Sequence, residues 1–163
     1  MPAAPAGRTG WVLKATLLLW VTLAWRVAGA ATPVALPNWA DQVTGTYIGR
    51  DHNDGELQCE RVVFSLSDGA LVGHYWVGAD DPFEGDLIDF VGEPGAGPND
   101  TRRAGRFTWV DRYGRGVRVI RWAADSTSFF SLWGQNRPNP ALTGFGLRGA
   151  DAVVAGCNGA PVS

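Results

Sequence analysis

From residue 43 onward the chain alternates. In SDGALVGHYWV (67–77), Leu71, Gly73 and Tyr75 fall on one side and Val72, His74 and Trp76 on the other. A period of two marks an extended strand, whose successive side chains point to opposite faces. Repeated along the chain, it predicts eight strands, near 44–50, 58–66, 70–78, 83–91, 104–112, 116–123, 127–135 and 141–148. Helical periodicity is missing, and LPNWADQ (36–42) alone offers one short turn. The links are short and rich in turn residues: DHNDGE (51–56), SDG (67–69), ADDP (79–82), YGRG (113–116) and AADS (123–126). GEPGAGPND (92–100) is longer, and the two prolines of QNRPNP (135–140) place loop there.

A short unit recurs in which an apolar residue is followed two places on by glycine: VTGTY (43–47), LVGHY (71–75), FEGDL (83–87) and LTGFG (142–146). Each sets a glycine between two residues of one strand face. A glycine inside a strand weakens it unless the chain bends or another group approaches closely there. Small barrels need bends, so Gly73 is expected at a coiling point. Eight strands with hairpin-sized links predict an all-β, antiparallel up-and-down meander closed into a barrel, which leaves no exposed edge. An open sandwich is the rival. An outer-membrane barrel needs an apolar outward band on every strand, which Glu84 and Asp86 on one strand and Arg106, Thr108 and Arg112 on another oppose.

The N-terminal part has a different pattern. Arg8 and Lys14 precede an uncharged run of 11 residues, ATLLLWVTLAW (15–25), followed by Arg26 and the small residues Ala28 and Ala30. That order predicts a secretory signal peptide cleaved after Ala30. The run is too short to span a hydrocarbon core, which takes about 20 residues; an uncleaved anchor is the alternative. The expected organisation is a signal peptide at 1–30, a lead-in at 31–42, the barrel at 43–150 and a tail at 151–163. The protein is expected to be secreted or periplasmic, with no stable membrane span after cleavage.

Charge and cysteines follow from that division. Three of the 14 basic residues lie in the leader and all 16 acidic residues lie after it, so 11 basic residues face 16 acidic ones and the exported part carries −5. No lysine remains after Lys14, and the absence of a basic face argues against nucleic-acid binding. Cys59 and Cys157 both lie in the exported part, where an even count predicts a disulfide. Cys59 starts the second strand and Cys157 follows the eighth. In a closed barrel the first strand neighbours both, so the tail need cross only that strand.

VTGTY (43–47) and SDGALVGHY (67–75) resemble the opening hairpin region of the avidin and streptavidin family, over residues 43–77. The resemblance implies an eight-stranded antiparallel barrel with a ligand pocket at one end. The positions that receive biotin in that family are not matched. Ile48-Gly49-Arg50 stands where a polar side chain follows the opening strand, and Trp76-Val77-Gly78 where a serine is expected.

Candidate chemistry is sparse. His52 falls in a turn and His74 in mid-strand, on the face opposite Leu71 and Tyr75 and towards solvent. No paired histidines offer a zinc site, and the acidic turns read as Asx-type turns rather than calcium loops. No metal and no cofactor is expected. Asn99-Asp100-Thr101 is a glycosylation sequon. Glu84, Asp86 and Asp111 are the candidates for a carboxylate-dependent hydrolase, although a solvated outer face accounts for Glu84 and Asp86.

The aromatics carry more. Trp39, Trp76, Trp109, Trp122 and Trp133 join seven Phe and three Tyr in the exported part. Phe107 shares a strand face with Trp109, and Phe129 with Trp133. An eight-stranded barrel has room for side chains or for one small ligand. After Trp133, Gln135, Asn136 and Arg137 supply polar groups beside an aromatic, on a segment stiffened by Pro138 and Pro140. Alternate loops share one end of such a barrel, so DHNDGE, ADDP, YGRG and QNRPNP are expected at one mouth. Arg115 and Arg137 would there face Asp51, Asp54, Asp80 and Asp81. The expected function is a non-enzymatic binding module that holds a small apolar ligand or a protein partner through Trp109, Trp133, Gln135, Asn136, Arg137 and Arg115. A periplasmic inhibitor or assembly factor with a filled barrel, and the hydrolase, are the alternatives.

Overall fold

The structure is a computed structural model that describes residues 36–53, 55–78, 83–93, 102–149 and Cys157. A 3-10 turn, Ala40–Val43, leads into eight strands: β1 (Gly45–Asn53), β2 (Glu56–Ser67), β3 (Ala70–Val77), β4 (Phe83–Gly92), β5 (Arg103–Asp111), β6 (Gly114–Trp122), β7 (Ser128–Gly134) and β8 (Asn139–Arg148). Each strand pairs antiparallel with the next, and β8 returns to β1. The result is a closed up-and-down barrel. The expected signal peptide (1–30), ADDP (79–82), Asp54, the sequon at Asn99 and the tail other than Cys157 lie outside the described residues. Among the described residues no helix is long and apolar enough to cross a membrane.

The strands differ from expectation at their ends. β1 continues through Asn53 because the hairpin stays in register: Asp51 faces Gln58, His52 faces Leu57 and Asn53 faces Glu56. DHNDGE is therefore mostly strand, and Asp51 and His52 are ladder residues rather than turn residues. Similarly, QNRPNP is loop only up to Pro138. The Asp68-Gly69 turn has φ of 50° and 75°. Two left-handed residues make the two-residue turn whose twist matches that of its strands.

Gly73 supplies room. Its φ lies outside the left-handed region, and a methyl group there would sit 3.0 Å from Leu87 Cδ1 and 3.1 Å from Phe64 Cδ1. The two neighbouring strands fill the space that a side chain at Gly73 would take.

The apolar core is centred on one end of the barrel, and Tyr75, Val77 and Trp109 continue it towards the other. Tyr47, Phe64, Leu71, Leu87, Phe107, Ile120, Trp122 and Phe129 are buried there. Phe64 lies 5.6 Å from Tyr47, 5.2 Å from Trp122 and 5.9 Å from both Phe107 and Phe129, ring centre to ring centre. Tilted and edge-on pairs at these distances add to area burial. The 3-10 turn caps this end, with Val43 buried and Trp39 against Phe90 and Trp122 at 6.1 and 5.7 Å. The Tyr47 hydroxyl reaches the carbonyls of Val43 (3.2 Å) and Ser126 (3.0 Å). Arg103 bonds Gln42 Oε1 at 2.7 Å and Arg148 bonds the Gln42 carbonyl at 2.8 Å, which ties the cap to the barrel.

Cys59 and Cys157 form a disulfide, with their Cα atoms 5.4 Å apart. It lies on the outer face, where Cys157 packs over Ile48 of β1. The tail thus reaches β2 across the single strand β1. The bridge spans 98 positions, for which the chain-entropy model gives an upper figure of about 4–5 kcal/mol.

Candidate functional site

Followed along their inward positions, the same strands change character towards the other end. β1 goes from Tyr47 to Asp51, β2 from Phe64 to Glu60, β6 from Ile120 to Arg118, and β7 from Phe129 to Ser131. All four of these polar residues are buried. The Arg118 guanidinium lies 5.8 Å over the Phe129 ring, so it rests on top of the aromatic core.

Arg118 and Glu60 form a two-pronged ion pair. Arg118 Nη2 donates to Glu60 Oε2 at 2.7 Å, and Nη1 donates to Oε1. Nε and Nη2 also donate to Ser131 Oγ at 3.1 and 2.9 Å, and that hydroxyl donates to the Gly144 carbonyl at 3.3 Å. A methyl group at Gly144 would lie 2.5 Å from Arg118 Nη2 and 2.7 Å from Ser131 Oγ. The missing side chain is what lets the guanidinium lie against β8.

Burial opposes the charge on Arg118, but Glu60 more than offsets this and holds the pKa above the ordinary arginine value. Asp51 has the reverse balance. Burial, and secondarily Glu60, push its carboxyl up to about 7 against the pull of Arg118 and the Trp133 indole. The Trp133 indole faces that carboxyl, but its buried Nε1 forms no full hydrogen bond. Burial and the hydrogen bond it donates to Asp111 (2.7 Å) raise the Tyr75 hydroxyl, which stays neutral at physiological pH.

Above this floor is a cavity of about 1010 Å³. Trp109, Trp133, Phe83, Tyr113, Val77 and Leu142 form walls, and Gln135 to Pro138 form part of the rim. The two indole rings meet edge to face with centres 6.3 Å apart. Trp109 is anchored by the bond from its Nε1 to the Gly134 carbonyl, 3.1 Å.

Five of the six residues expected at a ligand site therefore line one cavity: Trp109, Trp133, Gln135, Asn136 and Arg137. Arg115 does not. It is out of phase with the inward Gly116 and Arg118, and it is exposed on the outer face of β6. The expected pairing of Arg115 with Asp51 across the mouth does not form, because Asp51 belongs to the floor. Glu84 and Asp86 are exposed on the outer face, where they hold His74: Asp86 Oδ1 is 2.7 Å from Nδ1, and Glu84 Oε2 is 3.3 Å from Nε2. Asp111 lines the cavity. Among the described residues no group of three potential ligands gathers into a metal site.

Sequence reasoning missed Glu60, Arg118 and Ser131 as site residues, and it set Asp51 on a mouth loop rather than in the floor. A signal was present: Glu60 is in phase with Val62 and Phe64, and Arg118 with Ile120 and Trp122. A charge in phase with core positions marks a buried pair. Comparison with protein-family models, with curated proteins and with solved structures finds no match to this chain.

Proposed function

We propose that this protein is an exported, non-enzymatic binding module that takes a small ligand into the open half of its barrel. The observation that carries this reading is the division of the interior, packed with aromatics at one end and open over about 1010 Å³ at the other. A preformed apolar-walled cavity with a few fixed polar groups is the usual form of a small-molecule site. The Arg118–Glu60 pair braces the floor without a ligand, which lowers the ordering cost of binding. The charged floor favours a ligand with a polar head on an apolar body over a wholly apolar one. The disulfide suits an oxidising compartment and agrees with the leader sequence.

The alternatives have less support. A filled barrel acting through its loops is at odds with the cavity. A hydrolase with two working carboxylates has less support: Glu84 and Asp86 hold His74 on the outer face, both Glu60 oxygens are held by Arg118, and Asp111 in the cavity is tied to the Tyr75 hydroxyl and the Tyr113 N–H. A protein partner has one observation in its favour. Phe130 and Phe145 face each other across β7 and β8 on the outer surface, 49% and 39% exposed, with Leu147 nearby. Such a pair marks a contact surface.

Native mass spectrometry of the protein purified from its exported fraction tests the proposal. A retained small molecule is expected, and it should be lost from the double variant Trp133→Ala, Arg137→Ala with the fold intact. Retention by that variant would put the site elsewhere.

A further inference from the structure

The cavity floor has an unequal supply of hydrogen-bonding groups. Its donors are engaged with one exception: Arg118 binds Glu60 and Ser131, Tyr75 binds Asp111 and Trp109 binds the Gly134 carbonyl, while the Trp133 indole N–H is left without a full hydrogen bond. Its acceptors are in surplus. Asp51 and Asp111 both line the cavity, and among the described residues the Asp51 carboxyl accepts no full hydrogen bond, with the Trp133 indole and the Arg118 guanidinium nearby. The charges are unequal in the same sense. Glu60 neutralises Arg118 in a closed pair, and among the described residues Asp51 forms no ion pair, although Arg118 still pulls on its carboxyl.

The walls point the same way. Aromatic faces attract cations, and the mouth already seats one: the Arg112 guanidinium lies 5.6 Å over the Phe83 ring and 5.0 Å over Tyr113. Trp109 and Trp133 continue that aromatic lining towards the floor.

We infer that the ligand is a small organic cation, a protonated amine on an apolar body, with its ammonium group on Asp51 and its body against Trp109 and Trp133. This rests on the binding-module reading and names the ligand class. A carboxylate ligand at the floor would face Asp51 and Glu60, with the Arg118 guanidinium already held by Glu60 and Arg137 away at the rim.

Proton linkage follows. Asp51, pushed up to about 7, carries a proton at acid pH that the ligand cation must replace. The groups facing it are Glu60 on β2, Arg118 on β6 and Trp133 on β7. Gly144 of β8 approaches without charge. Glu60 and Arg118 remain a closed pair, so Asp51 is the group that exchanges a proton for the ligand.

Three isosteric probes test this on the disulfide-bonded protein: 3-phenylpropylamine, 3-phenylpropanol and 3-phenylpropanoate, titrated by calorimetry and tryptophan fluorescence from pH 5 to 8. The amine should bind at least about tenfold tighter than the alcohol, a difference typical of one charge-assisted hydrogen bond. The acid should bind weakest. Affinity for the amine should fall about tenfold per pH unit below 7 and level off above it. Asp51→Asn should remove both the amine preference and the pH slope while the alcohol still binds, which shows that the variant folds. Glu84→Gln, on the outer face, should change neither. Equal or tighter binding of the acid or the alcohol overturns the inference, as does an amine preference that survives Asp51→Asn, or failure of all three probes to bind. A different molecule retained in native mass spectrometry would then leave the binding module standing and only the ligand class refuted.

Discussion

The two ends of this barrel are built from the same strands and do opposite things. At the capped end, Tyr47, Phe64, Phe107, Trp122 and Phe129 fill the interior. Two to four residues further along, β1, β2, β6 and β7 supply Asp51, Glu60, Arg118 and Ser131 in their place, under an open cavity. The capped half derives stability from apolar burial. The open half keeps polar groups inside by pairing them, and a buried ion pair of this kind contributes little net stability over an apolar replacement. The difference shows that one alternating pattern can encode both a core and a site. What decides between them is the identity of the inward residue, not the strand.

Four changes would break or sharpen that contrast. The largest effect is expected for Phe64→Ala, which removes a ring from the centre of the capped end and should cost about 3–5 kcal/mol in denaturant unfolding. Probe affinity measured under folded conditions should stay within about twofold, because binding depends on the other half. Arg118→Ala should cost about 3–4 kcal/mol, since it strands Glu60 in the interior. In the double variant Glu60→Met, Arg118→Met most of that stability should return while ligand binding is lost, which separates the pair's role in the site from its role in the fold. Asp51→Asn should stabilise the protein at pH 8 by a few kcal/mol, at about 1.4 kcal/mol per unit of pKa displacement. The sign follows from the proton balance. The folded carboxyl holds its proton up to about 7, whereas the unfolded one releases it near 3.9. Stability of the native sequence therefore falls as pH rises through that window and is level above it. The Asn variant should lack this slope, and the two unfolding curves should converge below pH 4. The smallest stability change, about 1 kcal/mol or less, is expected for Trp133→Ala on the partly open wall. Its effect on binding should be complete.

The strand pattern made the fold legible. The alternation and the turn residues locate all eight strands, and the places of Cys59 and Cys157 foretell the bridge across β1. Gly73 was legible as a place where the chain bends or another group approaches, but the groups that approach, Leu87 and Phe64, depend on neighbours brought together by register. The site was half legible. Trp109, Trp133 and the Gln135–Arg137 segment are apparent from aromatic phase and turn chemistry. Asp51 was set on a mouth loop because DHNDGE is rich in turn residues, and only pairing with β2 carries it into the barrel. Arg115 and Arg118 are three apart, so they take opposite faces, and a rule that sends arginine to solvent is right for one and wrong for the other. Glu60 and Arg118 lie 58 residues apart, and nothing local in either strand identifies the other as its partner.

A crystal structure at atomic resolution tests the division of the barrel most directly. The interior above the Arg118–Glu60 pair should be open, with solvent or a retained molecule between Asp51 and the Trp109–Trp133 wall. An interior closed along its whole length, with the Gln135–Pro138 segment folded inward over Asp51, would contradict the account.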